Sequence, residues 1–133
     1  MADLTITETN VSSSAVTESG TAGEQITAGD AVYLDATTGE IKAALNDSAA
    51  HSAVKGIAIN RAEDGQPVSW VPAGNVSFGA ILTVGEIYVL SANAGKIAPE
   101  ADNGSGEYVT VLGVATSTSV LKLGIINSGV AVP

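Results

Sequence analysis

Short runs of β-branched and aromatic residues recur along the chain, and a turn-forming glycine, proline or asparagine follows each run within a few positions. This alternation of apolar runs and turn residues is typical of β-strands joined by tight turns. The runs span residues 32–34, 68–71, 76–78, 87–90, 108–112 and 120–126. We therefore predict an all-β fold.

The pattern occurs twice, and this repeat is the most informative feature of the sequence. Residues 26–41 align without a gap with residues 82–97, and VKGIAI at 54–59 then matches VLGVAT at 111–116. The identical positions of the first alignment, numbered in the first copy, are Thr27, Gly29, Leu34, Ala36, Gly39 and Ile41. Because two copies are too few for a solenoid, we predict that the halves, 26–81 and 82–133, close on each other as one small pseudo-symmetric β-barrel or sandwich.

The alanine-rich segment 43–54 is the one helix candidate. Its counterpart in the second half contains Pro99, Asn103 and Gly104, and proline and glycine interrupt helices. We predict loops in both places, with at most a helical turn.

Residues 1–25 differ from the rest of the chain. They are rich in threonine and serine and contain no aromatic or basic residue, and residues 4–9 alternate apolar and polar with the period of a strand. We predict an extended N-terminal arm, separate from a β domain of residues 26–133, that adds a strand to the sheet edge of a partner. The alternative is a disordered terminus.

Composition narrows the classes of partner. Fourteen acidic residues against five scattered bases give a net charge of −9, so phosphate backbones would be repelled and we expect no nucleic-acid partner. The absence of cysteine excludes disulfides, thiolate metal sites and thiol nucleophiles. No stretch fits a signal peptide or a membrane helix, so we expect a soluble protein without a membrane partner. Charged residues make up only 14% of the chain, which suits a surface that meets other subunits.

Residues with catalytic chemistry are few and poorly placed. His51 is the only histidine, and a triad needs its members oriented around a nucleophile in space, so we expect an ordinary loop histidine. The polar residues near it in sequence are Asp47, Ser48 and Ser52. Gly95 and Lys96 lack the other glycine and the hydroxyl residue of a phosphate-binding loop, and a hairpin turn explains them better.

An acidic, glycine-rich turn is the one candidate for a metal site. Glu100, Asp102 and Glu107 could supply oxygen ligands to Ca²⁺, but their spacing does not fit an EF-hand loop and a solvated turn is the favoured interpretation. We predict no enzymatic activity, no catalytic residue, no cofactor and no bound metal.

Trp70 is the only tryptophan and lies between Pro67 and Pro72, which favours an edge strand. A tryptophan at a sheet edge could anchor a subunit interface, so Trp70 is our interface candidate. The interpretation we favour is that Trp70 and Val68, which share one face of the strand, fill the core, since large apolar side chains are scarce in this sequence.

Five blocks of turn and strand residues carry a family resemblance. They are GDAVYLD at 29–35, VKGIAI at 54–59, VGEIYVL at 84–90, YVTVLGVA at 108–115 and LKLGI at 121–125. Together they resemble small bacteriophage head proteins of the capsid decoration, or cement, type. Proteins of this class have compact β domains, often form trimers and lie on the outside of the capsid, commonly engaging the shell with an N-terminal arm.

The resemblance implies a structural virion protein that binds the outer capsid surface and stabilises the shell by bridging major capsid protein subunits. It also implies a homotrimer, present in the host cytoplasm during assembly. Two arguments from the residues agree with it: packaged DNA repels an acidic chain, and a β-forming arm can extend a neighbouring sheet. Within the arm we predict Leu4, Ile6 and Val11 as the shell contacts.

Two other functional classes stay open. A receptor- or glycan-binding module of a phage tail fibre or spike would also be acidic, β-rich and oligomeric, but it should expose aromatic platforms, and aromatic residues are only 4% of this chain. A calcium-dependent adhesion domain would use the acidic turn and would melt at a higher temperature when Ca²⁺ is added.

Overall fold

The computed structural model describes residues 3–133, apart from the side chain of Asp102, and its regular structure is almost entirely β. The strands are β1 (Glu18–Thr21), β2 (Ala31–Leu34), β3 (Ile41–Ala43), β4 (Val54–Ala58), β5 (Pro67–Val71), β6 (Gly74–Ser77), β7 (Ile87–Leu90), β8 (Ile97–Pro99), β9 (Tyr108–Ala115) and β10 (Val120–Ala131). Two short 3₁₀ turns, Glu8–Asn10 and Glu100–Asp102, complete the list. Within residues 3–133 no helix is long and apolar enough to cross a bilayer.

These strands form two five-stranded antiparallel sheets. The first sheet has the order β1-β5-β4-β2-β3, and the second has the order β6-β10-β9-β7-β8. The all-β prediction is confirmed, and segment 43–54 forms turns after β3, as expected. The barrel alternative is wrong, because each sheet keeps two separate edge strands and does not close into a continuous ring.

The two sheets share one strand order, with each strand of the second sheet in the place of the strand five earlier. The register agrees as well: Val32 pairs with Ala43 in the first sheet, and Tyr88 pairs with Pro99 in the second, both numbers being 56 higher. The pairing of β2 with β4 and of β7 with β9 is irregular at the same point, directly after Val32 and Tyr88. The aligned sequence segments therefore occupy corresponding strands.

Two clusters of buried side chains form the interior. The shared core takes side chains from both sheets, and the first-sheet core takes none from the strands of the second. The shared core includes Ala31, Tyr33, Val54, Ile57 and Val71 of the first sheet with Tyr88, Leu90, Ile97, Leu112, Ala115 and Leu121 of the second. The first-sheet core contains Ala22, Ile26, Val32, Ile41, Ala43, Ala58, Ala62, Val68 and Trp70.

The sheets stack front to back. Val32 and Tyr88 hold equivalent positions, and we call the side of each sheet on which they lie its inner side. Val32 lies in the first-sheet core and Tyr88 in the shared core. Their neighbours Ala31 and Ile87 point to the outer sides, where Ala31 is buried in the shared core and Ile87 is 38% exposed. The outer side of the first sheet therefore covers the inner side of the second.

The two inner sides are closed along their edges in different ways. In the first sheet the chain after β1 returns to β3, where the Gly23 N–H donates to the Ile41 carbonyl at 2.8 Å. In the second sheet the equivalent carbonyl, that of Ile97, accepts a hydrogen bond from the Leu4 N–H, also at 2.8 Å. The N-terminal residues thus complete the second sheet at the position where the first sheet uses its own continuing chain.

Polar side chains join the two sheets at one end. The Asn127 side chain of β10 accepts a hydrogen bond from the Val54 N–H at 2.9 Å and donates to the Val54 carbonyl at 3.3 Å. The buried Thr110 hydroxyl donates to the Ser52 carbonyl at 2.6 Å. These bonds satisfy main-chain groups that would otherwise be costly to bury, and they fix the sheets relative to each other.

Gly56 and Gly113 hold equivalent positions at which a neighbouring strand leaves no space for a side chain. A Cβ atom at Gly113 would lie 2.2 Å from the Lys122 carbonyl oxygen, and one at Gly56 would lie 2.3 Å from that of Val71. We expect Gly113→Ala to lower the free energy of unfolding by about 1–3 kcal/mol, because the strands must move apart. Urea unfolding, followed by circular dichroism, measures the change.

The matched control is Gly124→Ala on β10, because no atom lies within 4 Å of a Cβ atom built there. This variant should stay within about 0.5 kcal/mol of the wild type. Equal stability of the Gly113 and Gly124 variants would contradict the close strand contact at Gly113.

Candidate docking surfaces

The N-terminal segment (residues 3–17) lies along the second sheet. Leu4 bonds β8 at one edge, and at the other edge Ser12 exchanges main-chain hydrogen bonds of 3.1 and 2.8 Å with Ser77 of β6. Edge strands with free main-chain groups are sites of unwanted pairing, and this segment covers part of both edges. Residues 18–21 then form β1 at the edge of the first sheet. The structure therefore shows this segment attached to its own domain, and an arm detached from the domain stays a prediction.

The three predicted shell contacts face their own domain. Leu4 and Ile6 are partly buried against the shared core, and Val11 is a buried member of it. The threonines between them, Thr5 and Thr7, are exposed. The apolar and polar alternation in the sequence thus corresponds to an alternation of burial. Contact of Leu4, Ile6 and Val11 with a shell stays a prediction, and it requires this segment to leave its present position.

Carboxylates hold the segment at two points. Asp3 accepts hydrogen bonds from two side chains of the β7–β8 turn, and Glu8 accepts one from a main-chain N–H and one from an arginine. The partners, at 2.5 to 3.2 Å, are Ser91 and Asn93 for Asp3, and Ala28 and Arg61 for Glu8. Ion pairs as exposed as that of Glu8 and Arg61 contribute little to stability, so apolar packing dominates the attachment.

That packing centres on Gly29, which has a φ of +97°. A Cβ atom at Gly29 would lie 2.7 Å from Ile6 Cγ2 and 3.3 Å from Val11 Cγ2, so only glycine leaves space for the segment here. The next residue, Asp30, is buried, and its carboxylate accepts a hydrogen bond from the Thr27 N–H at 2.9 Å. The end of the domain under the segment therefore combines apolar packing with a buried carboxyl group.

Burial raises the pKa of the Asp30 carboxyl. The hydrogen bond from Thr27 and the positive charge of Lys96 act in the opposite direction, and the Glu8 carboxylate adds to the increase. The Gly95 backbone packs directly on this carboxyl group, with room for no Cβ atom between them. Gly95 and Lys96 lie in the turn between β7 and β8, so the hairpin interpretation of this pair is confirmed.

Trp70 lies in the first-sheet core and is 6% exposed. Its indole N–H donates to the Glu18 carboxylate of β1 at 3.1 Å. The structure thus places Trp70 in the core, as favoured from the sequence, and a role at a subunit interface stays a prediction. The edge-strand prediction is wrong, because β5 lies between β1 and β4. Three other aromatic side chains, Tyr33, Phe78 and Tyr88, are also buried. Such rings provide no exposed platform of the kind that a glycan-binding module needs.

The loop around His51 does not form a triad. His51 Nδ1 lies 2.7 Å from the Asp47 carboxylate, and its ring packs at a tilt against Tyr33 with 5.3 Å between the ring centres. The nearby hydroxyls bond the loop backbone: Ser48 accepts from the His51 N–H, and Ser52 donates to a carbonyl. We therefore interpret this pair as a structural element of the loop.

The described side chains of the acidic turn form no metal-binding cluster. In the described part of the chain no three acidic or histidine side chains come together as metal ligands. The Glu107 carboxylate accepts the Gly104 N–H at 2.5 Å, as an ordinary turn residue does, and Glu100 is exposed. The side chain of Asp102, the third candidate, lies outside the described residues.

The sequence reasoning missed one surface, the outer side of the second sheet, which we call the β9–β10 face. It forms a groove of about 470 Å³ whose apolar rim comes from Ile87, Val114 and Ile126, with exposed fractions of 38%, 37% and 63%. Lys122 and Glu100 also line the groove. One signal was available in the sequence: all 14 acidic residues precede residue 108, and Lys122 is the only charged side chain after it.

Replacing the buried carboxyl of Asp30 should change how stability depends on pH. A raised native pKa means that the folded protein binds this proton more readily than the unfolded chain does, so lowering the pH favours folding at this site. Asp30→Asn keeps an acceptor for Thr27 but removes the titration. We expect the free energy of unfolding of the wild type, minus that of the variant, to rise as the pH falls towards the unfolded pKa of about 3.9 and to level off below it.

The control for this measurement is Asp64→Asn, which removes one carboxylate from an exposed turn. Urea unfolding of the three proteins across the same pH range supplies the comparison. A wild-type advantage that falls with decreasing pH at Asp30 would contradict the buried, proton-favouring environment.

Two surfaces thus stand out: the N-terminal segment on the edges of the second sheet and the exposed β9–β10 face. Neither brings together, among its described residues, the side chains of a known catalytic arrangement. No family model matches this chain, and no curated protein is significantly similar to it. The case for a function therefore depends on the residues and their geometry.

Proposed function

We propose that this protein is a structural component of a bacteriophage virion. It binds the outer surface of the capsid and stabilises the shell by bridging major capsid protein subunits, after assembly in the host cytoplasm. Its sequence blocks resemble those of capsid decoration proteins, and its all-β architecture is compatible with that class. The net charge of −9 favours the outer surface over the DNA-filled interior, since packaged DNA repels an acidic chain.

The observation that carries the proposal is the N-terminal segment. It attaches through main-chain hydrogen bonds at Leu4 and Ser12 to two sheet edges, while alternate side chains enter an apolar groove. This is the chemistry of strand addition, in which the backbone supplies affinity and alternate side chains supply specificity. A segment that can bind edges of its own sheet has the groups needed to bind the edge of a shell subunit.

The free energy of burial is compatible with transfer of the N-terminal segment from its own sheet edges to the edge of a shell subunit. Full burial of an aliphatic side chain contributes about 1.5–3 kcal/mol, which applies to Val11, and the partly buried Leu4 and Ile6 contribute less, so release of all three into water would be unfavourable. Transfer to an equivalent groove on a neighbouring subunit loses little, because the same contacts form again. Binding at several points of a lattice then adds up, because each further contact forms at high effective concentration.

We further infer that the halves are copies of one folding unit and that the protein is a trimer. The shared strand order and the 56-residue shift of register support the first part. The start of the first copy then lies at β1 and not at residue 26, because Glu18–Thr21 and Gly74–Ser77 also differ by 56. Trimer formation is supported by the family resemblance alone.

Shell binding is tested by sedimentation of the protein with empty shells of the cognate major capsid protein. We expect co-sedimentation, and we expect decorated shells to unfold at a higher temperature than bare ones, because a ligand of the folded form stabilises it. Absence of binding to the cognate shell would overturn the proposed function.

The contribution of the N-terminal segment is tested with a photo-crosslinking residue at Thr5, which is exposed between Leu4 and Ile6. We expect this probe to crosslink to the shell subunit, and the same probe at Thr38, on the exposed β2–β3 turn, to do so much less. Deletion of residues 1–25 is a poor substitute, because it removes β1 and the fully buried Ala22. Crosslinks from Thr38 but not from Thr5 would show that another surface docks.

A further inference from the structure

We propose that the β9–β10 face is the surface on which a second copy of this chain packs. The inference rests on the proposed function only in that it takes the protein to be oligomeric, and it names the surface responsible. Ile87, Val114 and Ile126 expose apolar side chains around one groove of a β-sheet. Contiguous exposed apolar surface of this kind marks an interaction site on a soluble domain.

The corresponding face of the first sheet is covered, and it provides a comparison for the β9–β10 face. Ala31 and Ile57 pair across β2 and β4, and Ile87 and Val114 pair at the equivalent place across β7 and β9. The first pair is fully buried, because the second sheet covers it, whereas the second pair is more than a third exposed. The chain thus packs the first pair against another sheet, whereas the equivalent pair of the second sheet remains partly exposed to solvent.

Charge favours another copy of the chain as the occupant. Two molecules that each carry a net charge of −9 repel each other least where acidic side chains are sparse, and residues 108–133, which supply most of the groove lining, contain none. Lys122 and Glu100 line the same groove, and neither forms an ion pair among the described residues. In the proposed interface, Lys122 of one copy pairs with Glu100 of the next. The face carries both charges of this pair, as a surface that contacts its own copy requires.

The first experiment measures the mass of the full chain by light scattering and sedimentation equilibrium over a range of concentrations. We expect an oligomer for the wild type and a shift towards monomer for Ile126→Asp, which places a carboxylate on the face. The control, Val16→Asp, changes an apolar side chain that is even more exposed but lies on the N-terminal segment, and its mass should not change. Circular dichroism verifies that both variants are folded.

The second experiment exchanges the charges. Lys122→Glu and Glu100→Lys should each raise the dissociation constant by about tenfold or more, because each places like charges together. The double variant should recover most of the loss. A structural defect at either position would not be reversed by the second substitution, so recovery is specific for contact between the two residues.

Two results would overturn the inference: a wild-type monomer at all concentrations, or an oligomer that Ile126→Asp and both charge reversals leave intact. Shell sedimentation separates this inference from the proposed function. A monomer that still binds shells contradicts only the inference, and an oligomer assembled through this face that binds no cognate shell contradicts only the proposed function.

Discussion

Packing of the outer side of the first sheet on the inner side of the second is the contact on which the rest of the structure depends. Tyr33, Ile57 and Val71 reach from one sheet into the same core as Leu90 and Leu112 of the other. Because the stacking runs front to back, the two ends of the stack are different. One end is an inner side that is closed by its own chain, and the other is an outer side on which Ile87, Val114 and Ile126 remain partly exposed.

Both ends show this difference in their residues. At the first end, Ala22 and Ile26 are fully buried, and the bond from Gly23 to Ile41 brings the chain across to β3. At the other end, Ile126 stays 63% exposed. The position of the N-terminal segment follows from the same constraint. In the first sheet the Gly23 N–H bonds the Ile41 carbonyl, and in the second sheet the Leu4 N–H bonds the equivalent carbonyl, that of Ile97. The stacking of the two sheets thus accounts for the covered inner side of the first sheet, the exposed β9–β10 face and the position of the N-terminal segment.

The sequence was informative where local chemistry decides structure. Turn residues and β-branched runs located most strands, and the gapless alignment of residues 26–41 with 82–97 anticipated that β2–β3 and β7–β8 would pair in the same register. It could not decide the stacking, because alternation shows which residues share a face and not what covers that face. Ala31 and Ile87 hold equivalent positions in the two sheets, yet Ala31 is fully buried and Ile87 is 38% exposed. For the same reason the sequence could not exclude the barrel alternative, which was wrong. It also could not show that Leu4, Ile6 and Val11 pack against the core of their own domain.

The hydrogen bonds of the N-terminal segment also limit when this segment can attach to the rest of the domain. The Asp3 carboxylate meets Ser91, which is 88 positions away, and the Leu4 N–H meets Ile97. Contacts between such distant residues form slowly, because the long intervening loop must close before they are made. Residues 3–12 are synthesised well before β6 and β8 exist. During translation the main-chain groups of Leu4 and Ser12 therefore stay without these partners until β6 and β8 have been synthesised.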